Sequence, residues 1–215
     1  VSINLANFKQ GTATGESEEA FSNNYLISVL AHEMSHALGW NEKAFKNFRD
    51  ENGNVLQNTV ENGNMLGKQI TLLTTPAVTK QVRSHFGCPS LFGMEIEDQG
   101  GAGTAGSHPE KRIYPETYMT GTMNSNKRGY IIDSMALSVF QDSGWYQVKN
   151  LDQAGRLMWG RGLGCRVPTH KCNDMGAKAN ELGMYCSNET QVFCTGFNMH
   201  VQGHCDVSKY SDALP

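Results

Sequence analysis

Apolar residues recur at helical spacing between residues 17 and 39, and this stretch predicts a long helix with one partly buried face. The apolar positions are Phe21, Tyr25, Leu26, Val29, Leu30, Met34 and Leu38. Acidic residues at positions 16, 18 and 19 suit the start of the helix, because carboxylates interact favourably with its dipole. Gly39 suits its end, where a residue that adopts positive φ is favoured.

A second helical pattern covers residues 133 to 143, and shorter signals fill the chain between the two helices. Its apolar positions are Ile132, Met135, Ala136, Val139 and Phe140. Asp133 is predicted to cap this helix and Gly144 to end it. The other predicted elements are a strand at residues 1 to 9, turns at Asn52-Gly53 and Asn62-Gly63, a strand from Ile70 to Thr75, and a helix from Pro76 to Phe86 that ends at Gly87. Residues 150 to 215 have no clear periodicity, so the chain is predicted to be an α+β protein with an irregular C-terminal region.

The first helix carries the motif His-Glu-x-x-His at residues 32 to 36. His32 and His36 are four residues apart, so on a helix both imidazoles lie on one face and reach the same metal ion. This spacing is typical of a zinc site. Glu33 lies between them and is predicted to act as a general base on a zinc-bound water.

A catalytic zinc needs a third protein ligand. Residue spacing alone does not decide which of the other histidines provides it. Many zinc peptidases have a histidine three residues after the glycine of this motif, where this chain has Glu42. The remaining histidines are His85, His108, His170, His200 and His204. His108 is the strongest candidate because it follows a glycine-rich run, residues 100 to 106, whose backbone can turn freely and approach a site closely. Pro109 favours an extended backbone at His108, which suits a ligand that reaches in from a loop.

The roles of several other polar residues near these motifs are less certain from the sequence. The carboxylates of Glu95 to Gly100 either support a zinc histidine by a hydrogen bond or form a solvated acidic turn. Tyr114 and Tyr118 are both candidates for holding an oxyanion. His85 is expected to be a packing or surface residue of its helix. His200 and His204 are four apart in a loop-like context without an intervening glutamate, so they are not expected to bind metal.

These segments resemble the leishmanolysin-type peptidases, a metzincin family in which a long insertion separates the third zinc histidine from the first two. The matching segments are HEMSHALGW, HFGCPSLFGMEIEDQGGAGTAGSH, the turn YMTG, and SMALSVFQDSGWYQV. A weaker match continues through WGRGLGC into the cysteine-rich tail. Pro109 is a departure from the family pattern.

The resemblance implies a metzincin-like core that binds one zinc ion per chain. His32, His36 and His108 are then the zinc ligands, Glu33 is the catalytic base, and Met119 forms the methionine turn beneath the metal, with Met123 as the alternative. The implied organisation has three parts. They are residues 1–107 (the end of an N-terminal catalytic subdomain, the active-site helix and the insertion), 108–150 (a central subdomain with the third ligand and the supporting helix) and 151–215 (a truncated cysteine-rich region).

Six cysteines, five of them in the last 51 residues, favour disulfides and an oxidising compartment over reduced thiols. The spacing CxxC does not occur in the sequence, which argues against a structural zinc site. Asn188 begins a glycosylation motif, which also fits a secreted protein. The resemblance implies the pairs Cys88–Cys165 and Cys186–Cys205, and partners beyond Pro215 for Cys172 and Cys194. Within this chain, Cys172 and Cys194 are expected to be either free or paired with each other.

Composition narrows the range of partners. The net charge is −3 and the chain has no basic run, so nothing favours nucleic acid or an anionic membrane surface. The chain lacks the roughly 20-residue apolar stretch of a membrane-spanning helix, so any membrane association is expected through parts outside it. No signal peptide opens the chain, and it is interpreted as a piece of a longer protein.

The sequence therefore predicts an extracellular or cell-surface zinc endopeptidase acting on proteins or peptides. The alternative is a non-catalytic secreted or surface adhesion module that retains a zinc site. The presence of Glu33 favours the enzyme, because a structural zinc site needs no base. Only about 30 residues precede His32, whereas the resemblance implies an N-terminal sheet there. Metal binding by the isolated chain is therefore a firmer expectation than turnover.

Overall fold

The computed structural model describes residues 18–65, 67–122, 132–149, 151–171, 192–195 and 198–204, with side chains described from residue 26 to residue 171. The helices are α1 (Glu18–Ala37), α2 (Glu42–Phe45), α3 (Pro76–Phe86), α4 (Ser134–Asp142) and α5 (Arg166–Thr169). The strands are β1 (Val60–Met65), β2 (Lys68–Leu73), β3 (Met94–Ile96), β4 (Val192–Thr195) and β5 (Asn198–His204). A short 3-10 turn covers Leu151–Gln153. The mixture of helices and antiparallel sheets is consistent with the predicted α+β class.

Helix α1 confirms the long helix expected around the histidine motif, and it ends before Gly39, whose φ is +121°. The buried face of the helix differs from the predicted one. Met34 and Leu38 are 60% and 44% exposed, whereas the side chains of His32 and Ser35 are buried. The apolar pattern misidentified the face because the residues turned inwards here are polar and engaged in hydrogen bonds.

Strands β1, β2 and β3 form an antiparallel sheet in that order, which confirms the predicted strand near residue 70. The turn predicted at Asn62-Gly63 is wrong. Both residues lie inside β1, where Gly63 pairs with Ile70. The chain reverses instead between the paired residues Met65 and Lys68, where Gly67 supplies a φ of +86°. Either glycine could have formed the turn, and the pairing of β1 with β2 decided which one did.

The segment around Pro109 extends this sheet beyond β3. Pro109 forms an antiparallel bridge with Ile96. The Glu97 amide donates to the His108 carbonyl at 2.8 Å, and the Glu110 amide donates to the Glu95 carbonyl at 2.9 Å. This pairing agrees with the extended backbone expected before a proline, and it fixes His108 to the edge of the sheet.

Helices α3 and α4 pack against each other, and a carboxylate joins them. Helix α3 begins at Pro76 and ends at Gly87 in the left-handed conformation, as predicted. The Asp142 carboxylate at the end of α4 accepts hydrogen bonds from Ala77 N and Val78 N, both at 2.9 Å. Two otherwise unpaired amides at the start of α3 are thereby satisfied.

Helix α4 also follows its prediction closely. The Asp133 side chain caps it by accepting a hydrogen bond from Ala136 N at 2.9 Å, and Gly144 follows its end with a φ of +73°. A Cβ at Gly144 would lie 2.3 Å from the Arg49 carbonyl oxygen, so a glycine is required there. Ile132 is 47% exposed and does not belong to the buried face of α4.

A single cluster of buried side chains links the sheet, the helices and the loops between them. It includes Trp40, Phe45, Leu73, Val82, Phe86, Met119 and Val139. The disulfide Cys88–Cys165 joins the end of α3 to the start of α5, as the family resemblance implied. Within the described residues, no helix is long and apolar enough to cross a bilayer.

The C-terminal region has more regular structure than its sequence pattern suggested. Strands β4 and β5 form an antiparallel pair. Cys194 lies in β4, but its side chain is not among those described. Met123, Cys172, Cys186, Asn188 and Cys205 lie outside the described residues, so the predictions for them stay predictions.

Candidate metal centre

Three histidine side chains converge on one point. The Nε2 atoms of His32 and His36 are 3.0 Å apart, those of His36 and His108 are 3.1 Å apart, and those of His32 and His108 are 3.2 Å apart. His32 and His36 come from adjacent turns of α1, whereas His108 comes from the edge of the sheet. The structure therefore brings together the two histidines of the motif and the third histidine that the family resemblance implied.

The opposite ring nitrogen of each histidine contacts a backbone carbonyl. His32 Nδ1 lies 2.7 Å from the Tyr118 oxygen. His36 Nδ1 lies 2.6 Å from the Trp40 oxygen, and His108 Nδ1 lies 2.8 Å from the Thr104 oxygen. A carbonyl oxygen can only accept, so every Nδ1 carries a proton, and in the neutral imidazole the Nε2 then presents a bare lone pair.

The short distances between the Nε2 atoms are therefore not hydrogen bonds, because none of these nitrogens holds a proton to share. Three lone pairs directed at one another repel unless a cation lies between them. Nitrogen ligands at about 2.0–2.1 Å from a tetrahedral zinc lie about 3.3 Å apart, close to the observed spacing. Neutral imidazoles with bare Nε2 atoms at this separation fit a zinc ion.

Burial favours the neutral form of two of these imidazoles, His32 and His108. His32 and His108 are 7% and 4% exposed. Burial lowers the pKa of His108 to about 4, and it also lowers the pKa of His32, while the carbonyl hydrogen bonds oppose the shift in both. Since a metal binds the neutral form of histidine, the site is prepared for a metal at neutral pH.

The glycine-rich run orients the side chain of the third histidine, His108, through a backbone carbonyl. Residues 101 to 106 turn sharply enough for the Thr104 carbonyl to reach His108, four residues further along the chain. Gly106 has a φ of +80°, and a Cβ there would lie 3.0 Å from the Glu42 carboxylate. Glu42 occupies the position where other zinc peptidases have their third histidine. In this chain Glu42 packs against the loop that carries His108 into the site.

Glu33 is the acidic residue nearest to the ligands in sequence. It follows His32 directly on α1, and its side chain is half-buried. A zinc ion held by three histidines keeps a fourth position for water or substrate. A carboxylate on the same helix is suited to take a proton from a group at that position.

Sequence comparison agrees with this arrangement. The family profile described as leishmanolysin matches residues 13–215, nearly the whole chain. The chain belongs to the leishmanolysin family. This is a family of zinc metallopeptidases, and the cluster of His32, His36 and His108 fits a metal site of that kind.

Individual relatives of this leishmanolysin-family chain come from animals and from trypanosomatids. The leishmanolysin-like peptidase of Drosophila melanogaster is 33% identical over 229 aligned residues, covering 88% of this chain and 33% of that protein. The leishmanolysin-like peptidase of Caenorhabditis elegans is 32% identical over 198 residues, covering 76% and 29%. Leishmanolysin of Leishmania chagasi is 30% identical over 191 residues, covering 88% and 30%. The chain spans about a third of the length of these relatives.

The carboxylates of the acidic segment, Glu95 to Gly100, do not hydrogen-bond to the side chains of the three histidines, so one of the two interpretations of this segment is wrong. Each Nδ1 is engaged by a carbonyl, and each Nε2 points at the metal position, so neither nitrogen is left for a carboxylate. The solvated turn is also wrong for Glu95 and Glu97, which are 4% and 9% exposed. The Glu97 carboxylate instead accepts hydrogen bonds from Gln99 N and Lys111 N, beside the sheet edge that carries His108.

Lys68 lies at the centre of these carboxylates in the leishmanolysin-family chain. Its ammonium nitrogen is 3.7 Å from Glu95, 3.2 Å from Asp98 and 3.6 Å from Glu110. Arg112 lies 3.8 Å from the other oxygen of Glu95. Lys68 was not singled out from sequence, because its role follows from the pairing of β2 with β3 and not from any local motif.

Both tyrosines proposed for an oxyanion are buried. Tyr114 is 2% exposed, and burial raises the pKa of its phenol well above the ordinary range. Tyr118 is 4% exposed, burial raises its pKa to about 12, and its hydroxyl lies 3.1 Å from Ser35 Oγ. These contacts point to roles in packing and hydrogen bonding. Met119 is fully buried in the core, and its place beneath the metal stays a prediction.

The remaining histidines have local roles where their side chains are described. His85 Nε2 lies 2.8 Å from the Trp159 carbonyl, which confirms a packing residue. His170 contacts the hydroxyl of the neighbouring Thr169 at 2.9 Å. His200 and His204 lie in β5, where side chains are not described.

Proposed function

We propose that this chain carries the zinc site of an endopeptidase that hydrolyses peptide bonds in proteins or extended peptides. One observation carries the proposal: three unprotonated Nε2 atoms converge on one point, and a half-buried carboxylate follows the first of them on the same helix. The proposal assigns His32, His36 and His108 as ligands and Glu33 as the catalytic base.

The division of labour follows from the donor set. When bound, zinc would polarise the scissile carbonyl and lower the pKa of a water at its open position towards about 7. Glu33 would take the proton from that water and deliver it to the leaving amine. The carbonyls of Tyr118, Trp40 and Thr104 would keep each ligand in one tautomer and orientation. The buried surroundings of His32 and His108 would strengthen these interactions by excluding water.

The substrate class and location are inferred from the family and from the cysteines. The relatives are described as peptidases, which supports protein or peptide substrates for the longer protein. The Cys88–Cys165 disulfide supports an oxidising environment, either outside the cell or at its surface. Any membrane association would come from parts outside this chain.

The decisive experiment compares this chain with Glu33→Gln, using an unfolded protein as substrate and measuring bound zinc separately. We expect both proteins to bind one zinc ion and only the reference chain to cleave, because the substitution keeps the ligands and removes the base. A zinc chelator should abolish the cleavage. Glu51→Gln is the matched control, since Glu51 is exposed and lies in a turn outside the site.

Two results would contradict the proposal. If the reference chain does not bind zinc, the assignment of the metal site is wrong. If Glu33→Gln cleaves as fast as the reference chain, the assignment of Glu33 as the base is wrong. If the zinc-loaded chain does not cleave, the same pair of variants is tested in a protein of the relatives' full length. Absence of cleavage there would support the non-catalytic surface module.

A further inference from the structure

His32 differs from the other two histidines in where its carbonyl partner comes from. The partners of His36 and His108 lie four residues away in the same segment of chain. The partner of His32 is the Tyr118 carbonyl, 86 residues away. Local backbone geometry therefore orients two of the ligands, whereas the orientation of His32 depends on how a distant segment is held against α1.

Tyr118 contacts α1 at a second point. Ser35 Oγ donates to the Ala31 carbonyl at 2.8 Å, which uses the only proton of the serine hydroxyl. The contact of 3.1 Å between Ser35 Oγ and the Tyr118 hydroxyl is therefore donated by the tyrosine. Because Ser35 lies one turn after His32, the hydroxyl and the carbonyl of Tyr118 both hydrogen-bond to the same face of α1.

Thr117 ties the same segment to the start of helix α4. Its hydroxyl donates to Asp133 Oδ2 at 2.5 Å, and the other carboxylate oxygen accepts from Ala136 N at 2.9 Å. Asp133 is 1% exposed and caps α4. The segment that supplies the carbonyl to His32 is thus tied to α1 by one residue and to α4 by the preceding one.

We propose that Thr117 and Tyr118 form a brace that sets the orientation of His32 for the metal, with Ser35 and Asp133 as its two anchors. The inference rests on the proposed function and adds positioning residues to it. Outer hydrogen-bond partners of metal ligands typically contribute 10–100-fold to metal affinity. The brace acts one step further out, so each of its hydrogen bonds should contribute somewhat less.

The test measures zinc affinity by competition with a chelator, together with the visible absorption spectrum of the cobalt-substituted protein. Tyr118→Phe removes one hydroxyl and keeps the ring and the carbonyl, and we expect zinc binding about 3–10-fold weaker. Thr117→Val is isosteric and removes the donor to Asp133, with an expected loss of about 10-fold. Thr117→Ser restores the hydroxyl and should restore the affinity. The cobalt spectrum should change in the first two variants and return in the third.

Two controls separate a brace from general loss of stability. Thr75→Val makes the same isosteric change at a buried hydroxyl that has no hydrogen-bond partner among the described residues, so zinc affinity should not change. Val82→Ala destabilises the core from α3, a helix that carries none of the three histidines. Its melting temperature should fall while its zinc affinity stays within about twofold of the reference.

Three results would overturn the inference. The first is reference affinity and an unchanged cobalt spectrum in both Tyr118→Phe and Thr117→Val. The second is an equal loss of affinity in Val82→Ala, which would make the effect one of stability. The third is a reference chain that binds no zinc, which overturns the proposed function as well. Zinc binding by the reference chain with no effect of the brace variants overturns this inference alone.

Discussion

Glu95 gives the sharpest prediction about stability in this fold. It is 4% exposed, and one of its carboxylate oxygens has no hydrogen-bond partner among the described residues. The nearest cations are Lys68 at 3.7 Å and Arg112 at 3.8 Å, too far for hydrogen bonds. Replacing Glu95 by glutamine keeps the shape of the side chain and removes the buried charge.

The sign of the effect follows from the pKa. Burial raises the pKa of Glu95 from its ordinary value of 4.5 to about 7, against the opposing pull of Arg112. Because the folded state binds the proton more tightly, the stabilisation from protonated Glu95 is complete below pH 4.5 and is lost as the pH rises through 7. A shift of about 2.5 pH units corresponds to about 3 kcal/mol, an upper value because the neighbouring cations can relax towards the charge.

Urea unfolding between pH 5 and pH 8.5, with the disulfide intact and a chelator present, measures the effect. Glu95→Gln should exceed the free energy of unfolding of the reference chain by no more than about 1 kcal/mol at pH 5 and by up to about 3 kcal/mol at pH 8.5. The histidines titrate in both proteins, so their contribution cancels in the difference. Glu97→Gln is the matched control at the same sheet edge. The Glu97 carboxylate accepts hydrogen bonds from Gln99 N and Lys111 N, so neutralising it should destabilise the fold.

A difference between Glu95→Gln and the reference that stays constant with pH would refute the reasoning. So would a variant less stable than the reference at pH 8.5. Either result would mean that Lys68 and Arg112 already compensate the buried charge of Glu95, despite distances beyond hydrogen-bonding range.

Two further predictions concern the supports of α3. Asp142→Ala removes the carboxylate that caps two amides of α3 and should lower the free energy of unfolding by about 1–2 kcal/mol, with partial recovery in Asp142→Asn, as measured by thermal unfolding. Cys165→Ala opens the disulfide to Cys88, which joins positions 77 residues apart, and should cost about 2–4 kcal/mol. A reductant should destabilise the reference chain by a similar amount, and a larger effect of the reductant on the variant would contradict this.

The sequence predicted the parts of the site that depend on spacing. His32 and His36 had to share a face of α1 because four residues make about one helical turn. The boundaries of α3 and α4 were also predictable, because Pro76, Gly87, Asp133 and Gly144 are residues whose backbone or side-chain chemistry favours helix ends. The glycine-rich run and Pro109 singled out His108 among the candidates. The family resemblance was needed to assign it.

The groups that orient the ligands could not be predicted, for a physical reason. Every residue has a carbonyl, so the sequence carries no mark of the three that bind His32, His36 and His108. The carboxylates of residues 95 to 98 were more conspicuous in the sequence, but Glu95 and Asp98 face Lys68, and Glu97 accepts hydrogen bonds from backbone amides. The prediction that Met34 and Leu38 lie on the buried face of α1 failed for a similar reason. An apolar stripe shows that a helix is amphipathic, but it does not show which polar groups the fold will bury.

The insertion between Gly39 and His108 has a direct role in the geometry of the site. The backbone beside His108 hydrogen-bonds to β3, β3 pairs with β2, and the carboxylates behind this edge surround Lys68 of β2. The third ligand is therefore placed by the sheet of the insertion, whereas the first two are placed by α1. A metal bound by all three would join two parts of the fold, so its affinity depends on how well the sheet and the helix are held relative to each other. Substitutions in the insertion that shift β3 should then weaken metal binding without touching a ligand.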